Sequence, residues 1–316
     1  MGHTAEDFVA LDGGSTEGEL AGPDQGLERS ALYAFILVLL VGGAMLTSRN
    51  LIYGTGSTAH TVMEAVATIL AFIVGALSLV RYYSRKQVTF LLIGCGFLGA
   101  AILDLNHVIG TDPGILDARA LQDSRVVPAA LYMWTWTAGR VFLSLFLVLS
   151  LLWGREGNDE IPEVSVYVTA ILLTFINLLL FDYIPVESIR PLFGKLERPA
   201  EILPAIFFLL AFVGYYRKGH WKRDQFEHWM MISLLISFLT HAAFMAFSVQ
   251  RWDAMFDAAH LLKIASYLAI LSGLMSSVYA TFAREGSVLM ALTKSNDALA
   301  REIEFRAQSE QAAQES

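Results

Sequence analysis

Long apolar stretches constrain the fold of this sequence more than any other feature. A membrane-spanning helix needs about 20 mostly apolar residues, because each residue adds about 1.5 Å across a hydrocarbon core of about 30 Å. Eight stretches approach that length: 30–47, 60–80, 88–108, 127–153, 163–182, 200–217, 227–249 and 257–283. They lack the apolar–polar alternation of a barrel strand. We therefore predict an all-α polytopic membrane protein with about eight transmembrane helices.

The composition agrees with this prediction and excludes several other classes of protein. Of the 316 residues, 55% are hydrophobic and 16% charged, against roughly 45–50% and 25% in a soluble domain. Cys95 is the only cysteine, so the chain cannot form an internal disulfide. The formal net charge of −8 gives no support for binding to nucleic acid. The composition thus indicates a membrane protein and leaves its function open.

The segments outside the apolar stretches indicate the orientation. Residues 1–29 form an acidic tail without the basic start and apolar core of a signal peptide, and we expect this tail to be disordered. An even number of crossings places both termini on one side of the membrane. That side holds thirteen basic residues and the opposite side seven. The positive-inside rule therefore predicts that both termini are cytoplasmic.

Residues 284–316 differ from the apolar helices before them. They are rich in helix-forming residues, and two sets of positions repeat every seven residues. These positions are Leu289, Asn296 and Ile303, with Leu292, Leu299 and Arg306 three residues later. A heptad seam with one polar Asn favours a parallel pair, so we expect a homodimer through 284–310. The alternative is an amphipathic helix lying on the membrane or on the protein itself. We expect this signalling helix to lead to an output module that the sequence does not contain.

Ionisable residues inside the apolar stretches are the main functional clue. A charged side chain at the bilayer centre costs roughly 2.5–3.5 kcal/mol on insertion scales and usually marks a function. They include nine residues: His60, Glu64, Asp104, His107, Arg140, Glu201, His241, His260 and Lys263. Spacings of three or four residues place neighbouring members on shared helix faces. Tracing the crossings puts all nine in one half of the membrane, away from the termini, which predicts a converging site there.

Each of these residues also has a purely structural interpretation. Lys263 could be the counter-ion of Glu64 or of Glu201, and Arg140 could neutralise Asp104.

Two further structural interpretations concern helix starts and membrane interfaces. Glu64 follows Thr61 by three residues and could complete a capping box. Several aromatic residues near the predicted interfaces are expected to form an aromatic belt. They are Tyr33, Tyr132, Trp134, Trp136 and Trp252.

The donor set is suited to a metal ion. Imidazole suits Zn, Cu, Fe and Ni, carboxylates extend this range to Mn, and the absence of cysteine ligands disfavours a thiolate site. The predicted metal ligands are His60, Glu64, Asp104, His107, His241 and His260. Two histidines on facing helices could instead bind haem iron axially. Three ligands and an open position would suit catalytic zinc, so an intramembrane zinc-dependent hydrolase of lipid-like substrates is the alternative function.

Five segments resemble the membrane-associated sensor domain of the third type, which is found at the front of bacterial signalling proteins. They are HTVMEAVATILAFIVGALSLVRYYSRK (60–86), FLLIGCGFLGAAILDLNHVIG (90–110), WTWTAGRVFLSLFLVLS (134–150), PAEILPAIFF (199–208) and FDAAHLLKIASYLAIL (256–271). The resemblance covers about residues 30–283. Its most specific sequence features are a His-x-x-x-Glu pair, an Asp-x-x-His pair, the arginine of the fourth helix and a His-x-x-Lys-x-x-x-Tyr motif.

The resemblance implies a sensory input domain in the bacterial inner membrane, as in histidine kinases of two-component systems and in diguanylate cyclases. Because no output domain follows in this sequence, we expect no catalytic residue in it. Four further residues, three of them already in the ionisable set, match the family's sequence features and are predicted to bind a ligand. These are Arg140, Glu201, Lys263 and Tyr267. The sequence departs from the pattern at Thr240–His241, where an acidic residue is expected, and at Ala258–Ala259 before His260. The segment 297–316 is similar to helices that lead into PAS domains.

Overall fold

The computed structural model describes residues 23–48, 55–112, 128–153, 162–181, 197–250 and 252–314, and these contain helices and no strand. The helices are α1 (Pro23–Ser48), α2 (Ser57–Arg85), α3 (Val88–Thr111), α4 (Pro128–Trp153), α5 (Glu163–Phe181), α6 (Ile202–Lys218), α7 (Gln225–Leu239) and α8 (Ala254–Gln314). Short 3₁₀ turns at Pro199–Glu201 and His220–Lys222 precede α6 and α7. A π turn, Thr240–Phe244, and a 3₁₀ turn, Met245–Phe247, follow α7.

The all-α polytopic fold is confirmed. Seven of the helices in the described part of the chain are long and apolar enough to cross a membrane. The eighth helix, α5, is also apolar and has 19 residues, which corresponds to a length of about 28 Å at 1.5 Å per residue. The eight apolar stretches of the sequence thus correspond to eight helices.

Helix α1 begins earlier than the sequence predicted. It starts at Pro23, so residues 23–29, which we assigned to a disordered tail, are helical. Proline is favoured in the first turn of a helix. The side chain of Arg29 donates hydrogen bonds to the Asp224 carbonyl and to Gln225 Oε1, both at 3.3 Å. These contacts fix the start of α1 beside the start of α7; the rest of the predicted tail lies outside the described residues.

Glycines allow α3 to approach its neighbours closely. Helix α3 contacts α2, α4 and α5. A Cβ atom at Gly75 of α2 would lie 2.7 Å from Leu98 Cγ, and one at Gly99 of α3 would lie 2.2 Å from Phe142 Cε1 on α4. Small residues permit such approaches between membrane helices, whose association depends on packing. The tight α2–α3–α4 layer holds the polar side chains of these three helices at fixed distances.

The chain divides into two compact units, Met1–Leu274 and Met275–Ser316. The second unit consists of the C-terminal part of α8 as far as the structure describes it. Its apolar heptad residues are between 56% and 63% exposed: Leu289, Leu292, Leu299 and Ile303. The apolar positions of the seam therefore remain available to another surface.

Candidate ligand- and metal-binding site

All ten side chains that the sequence singled out are buried in the first unit, each with at most 2% of its surface exposed. They come from α2, α3, α4, the 3₁₀ turn before α6, the π turn after α7, and α8. These residues are His60, Glu64, Asp104, His107, Arg140, Glu201, His241, His260, Lys263 and Tyr267. Direct contacts, or contacts through one tryptophan, join them into a single network. Which of them bind a metal ion or another ligand remains a prediction.

Buried ion pairs tie α8 to α2, α3 and α4. Lys263 Nζ on α8 lies 2.7 Å from Glu64 Oε2 and 3.1 Å from Asp104 Oδ2. Arg140 Nη2 donates to both oxygens of Asp104 at 2.5 Å, and Arg140 Nη1 donates to the Tyr267 hydroxyl. Of the two counter-ions considered for Lys263, the structure has Glu64, with Asp104 as a second partner. Burying these charges is tolerable only because each has an opposite charge beside it.

The Asp104–Arg140 pair depends on a glycine next to the arginine. A Cβ atom at Gly139 would lie 2.8 Å from Asp104 Oδ1 and 3.6 Å from Leu103 Cβ. Such a contact is shorter than real Cβ atoms make, so any larger residue would displace the carboxylate. Gly139 therefore makes room for Asp104 where α3 and α4 pack together.

Three buried residues form a cluster of potential metal ligands, which we call the triad: His60, Glu64 and His260. One donor atom from each lies within 4.8 Å of the other two. His260 Nε2 lies 3.2 Å from Glu64 Oε1, and the His60 and His260 ring centroids are 4.7 Å apart. The His60–Glu64 spacing of four residues places both side chains on one face of α2. The triad therefore joins α2 to α8.

Glu64 does not form the capping box that the sequence allowed. The N-cap residue of α2 is Gly56, without a side-chain cap, and Thr61 Oγ1 donates to the Ser57 carbonyl at 3.1 Å. The Glu64 carboxylate points instead to Lys263 and His260 of α8. Glu64 therefore belongs to the interior of the bundle and not to the end of the helix.

The ring of His260 is held in a defined tautomer. Its Nδ1 atom lies 2.7 Å from the carbonyl oxygen of Phe256, and a carbonyl oxygen can only accept a hydrogen bond. Nδ1 therefore carries a proton, and in the neutral ring Nε2 presents its lone pair toward Glu64. A hydrogen bond from the second ring nitrogen to a backbone carbonyl is the usual support of a metal-binding histidine.

His107 lies beside the triad and has a side-chain partner of its own. Its Nδ1 atom is 2.6 Å from Thr135 Oγ1 on α4. Its ring meets that of His60 edge-on at 5.6 Å between centroids. His107 therefore packs against the triad from α3.

Glu201 and His241 form a second polar group, which we call the Glu201–His241 pair. Glu201 Oε2 is 2.6 Å from His241 Nδ1 and 3.4 Å from Trp136 Nε1, and Oε1 accepts from Thr137 Oγ1 at 3.2 Å. Phe208 stacks on the His241 ring at 10° between planes. The carboxylate thus has three donors around it. The structure places His241 here, in the π turn, and apart from the triad.

Trp136 links the two polar groups, a role that the sequence analysis missed. Its ring centroid lies 4.4 Å from that of His260 and 6.2 Å from that of His241, and Lys263 Nζ lies 4.7 Å from it. The assignment of Trp136 to an aromatic belt was therefore wrong. Its spacing of four residues from Arg140 could have revealed its inward position, because such residues share a helix face.

Tyr33 is also buried rather than part of a belt. It is 4% exposed, and its hydroxyl lies 2.7 Å from His228 Nδ1. The side chains of Tyr132 and Trp134 lie outside the described part of the structure.

The triad geometry suits a single ion better than a haem. Axial ligation of haem iron by His60 and His260 would require the macrocycle between the two rings. The carboxylate of Glu64 lies only 3.2 Å from His260 Nε2, which is the atom that would bind the iron. This space is therefore filled by a third potential ligand.

The model of the MASE3 family, a membrane-associated sensor domain, matches residues 56–279. The chain belongs to this family. The match contains all ten site residues and confirms the resemblance seen in the sequence, although it begins at residue 56 and so excludes α1. No curated protein and no solved structure matches the sequence. The protein is thus a multi-pass membrane protein with a sensory rather than catalytic domain in the MASE3 region.

Proposed function

We propose that this MASE3 protein is the sensory input domain of a bacterial signalling protein in the inner membrane, with both termini in the cytoplasm. A ligand or metal ion binds among the buried polar side chains in the outer half of the bundle. Its presence changes the position of α8, and α8 carries the change to a cytoplasmic output module. The intramembrane hydrolase is the weaker alternative, because the matched family is a sensory domain.

The proposal rests on the contacts that α8 makes with Glu64 of α2. His260 and Lys263, one turn apart on α8, contact the single carboxylate of Glu64 on α2. A ligand that changes the charge or the hydrogen bonding of Glu64 therefore changes the free energy of the α2–α8 contact. Signalling requires a ligand that binds two helix arrangements with different affinity. This contact supplies such a difference.

The relay passes through the heptad segment 284–310 of α8. Its apolar seam is exposed in the single chain, which supports a parallel homodimer with Asn296 setting the register. Rotation or translation of α8 would change which heptad positions face each other in the dimer. An output module following this segment would detect that change.

Disulfide cross-linking in membranes tests the relay. Single cysteines replace Leu289, Met290, Leu292, Asn296 or Leu299 in a Cys95→Ala background, and the fraction of cross-linked dimer is measured with and without Glu64→Gln. We expect cross-linking to be highest at the seam positions and lower at Met290→Cys. Glu64→Gln should shift the maximum to other positions. Leu268→Ala, on a 46% exposed side chain of α8, is the control and should leave the pattern unchanged.

Two results would contradict the proposal. Absence of cross-linking at every heptad position would exclude the parallel dimer. An identical pattern in Glu64→Gln and in the unmodified background would show that the buried contact does not control the helix.

A further inference from the structure

We propose that the triad is a site for one divalent transition-metal ion, with His60, Glu64 Oε1 and His260 Nε2 as its ligands. This inference deepens the proposed function, on which its signalling role rests, by assigning the bound species and the atoms that hold it. The ligands are two imidazoles and one carboxylate, a set that suits ions such as Zn²⁺ and Fe²⁺. Zn²⁺ is bound by a similar set in known proteins, with one position left open.

Two electron-pair donors of the triad face each other in the protein interior. Glu64 Oε1 and His260 Nε2 are buried, and neither has a hydrogen-bond partner among the described residues. Phe256 fixes the proton of His260 on Nδ1, so the neutral ring turns a lone pair toward the carboxylate. Buried polar atoms without partners are rare and costly. A cation between the two atoms removes this cost.

The contact between His260 Nε2 and Glu64 Oε1 also fits a shared cation. The two atoms are 3.2 Å apart, and neither has a hydrogen-bond partner among the described residues. An imidazole nitrogen with a free electron pair and a carboxylate oxygen can both bind the same metal ion.

The separation of the ligand atoms also fits a single metal ion. Two ligands bound at about 2.0–2.1 Å to a tetrahedral ion are about 3.3 Å apart, and the observed separation is 3.2 Å. His60 supplies the third donor from within 4.8 Å of the other two. Small side-chain movements are therefore enough to bring the three atoms to one ion.

The supporting contacts around the triad also resemble those of a metal site. The other ring nitrogen of His260 donates to the Phe256 carbonyl, and the other oxygen of Glu64 accepts from Lys263 at 2.7 Å. Such contacts orient the ligands before the ion binds. The Trp136 and Phe256 rings lie against His260, at 4.4 Å and 4.2 Å between centroids. The ligand atoms are thus positioned by neighbours that do not bind the ion themselves.

Equilibrium dialysis against Zn²⁺ alone, followed by elemental analysis, tests this site. The full chain is purified in lipid nanodiscs, treated with a chelator and dialysed at several free Zn²⁺ concentrations. We expect one Zn²⁺ per chain, and an affinity at least 100-fold lower in His260→Ala and in His60→Ala, because loss of supporting contacts alone costs 10–100-fold. His228→Ala, a histidine of α7 bonded to Tyr33, is the control and should change the affinity less than three-fold.

Folding is checked by gel filtration and circular dichroism, and the glutamine variant at the same position replaces an alanine variant that fails this check. The proposal is overturned if the unmodified protein binds no Zn²⁺. It is also overturned if folded His60 and His260 variants bind Zn²⁺ as the unmodified protein does. A failure here with a shifted cross-linking pattern in Glu64→Gln would leave the sensory relay standing and assign it another ligand. Zn²⁺ binding with an unshifted pattern would keep the site and contradict the relay.

Discussion

The triad and the Glu201–His241 pair contain the same kinds of side chain, yet they differ in how their hydrogen bonds are used. Glu201 has three donors around its carboxylate, from His241, Trp136 and Thr137. In the triad, one oxygen of Glu64 and one nitrogen of His260 have no hydrogen-bond partner among the described residues. A polar group whose bonds are complete stabilises the fold. A group that retains unsatisfied electron pairs is suited to bind something else.

Replacing Lys263 is expected to cause the largest loss of stability. It tests whether Glu64 of the triad depends on the positive charge of Lys263. Lys263→Met leaves Glu64 and Asp104 with one cation fewer. Removing one partner of a buried ion pair costs about 3–5 kcal/mol, and we expect a loss of this size in the free energy of unfolding, measured with denaturant in mixed micelles. Lys263→Arg is the control and should retain most of the stability. A loss below about 1 kcal/mol in Lys263→Met would show that the pairs with Glu64 and Asp104 are weak.

A substitution at Gly139 tests the packing that holds the ion pair between α3 and α4. Gly139→Ala forces a Cβ atom against Asp104 Oδ1. Overpacking of this kind typically costs about 1–3 kcal/mol, so the midpoint of thermal unfolding should fall. The matched control is Gly42→Ala on α1, where an added Cβ meets nothing within 4 Å and where alanine favours the helix. Equal effects at the two glycines would contradict the proposed role of Gly139.

The smallest expected effect concerns the Glu201–His241 pair. Thr137→Val removes one of the three donors to Glu201 and changes the side-chain volume little. The net loss of one such hydrogen bond is about 1 kcal/mol, and it should appear in the free energy of unfolding while Zn²⁺ affinity stays the same. Reduced Zn²⁺ affinity in Thr137→Val would show that the two polar groups act as one site.

Sequence reasoning predicted the helices and the buried polar residues because both depend on local patterns. Apolar length defines a membrane helix, and a charge inside such a helix is costly enough to be informative by itself. The choice of partners could not be predicted in this way. Helical spacing shows that Lys263 shares a face with His260, but it does not show whether Glu64 or Glu201 lies opposite. That depends on which helices are neighbours. The neighbours are decided by contacts between residues that are distant in sequence, such as Gly99 and Phe142.

The role of Trp136 was missed for a related reason. An aromatic residue near the end of an apolar stretch suits the membrane interface as well as the interior, and composition does not separate the two cases. Only the geometry shows its ring between His260 and His241.

The π turn at Thr240–Phe244 makes the direction of His241 depend on the number of residues in the chain. A π turn contains about one residue more than an α turn, and one residue corresponds to a rotation of about 100° around the helix axis. Deleting Thr240, the residue before His241, would let α7 continue in α-helical register through this region. His241 would then be rotated relative to Glu201, although every side chain of the pair would still be present. The Glu201–His241 contact therefore depends on the number of residues in this turn as much as on the identity of the two side chains.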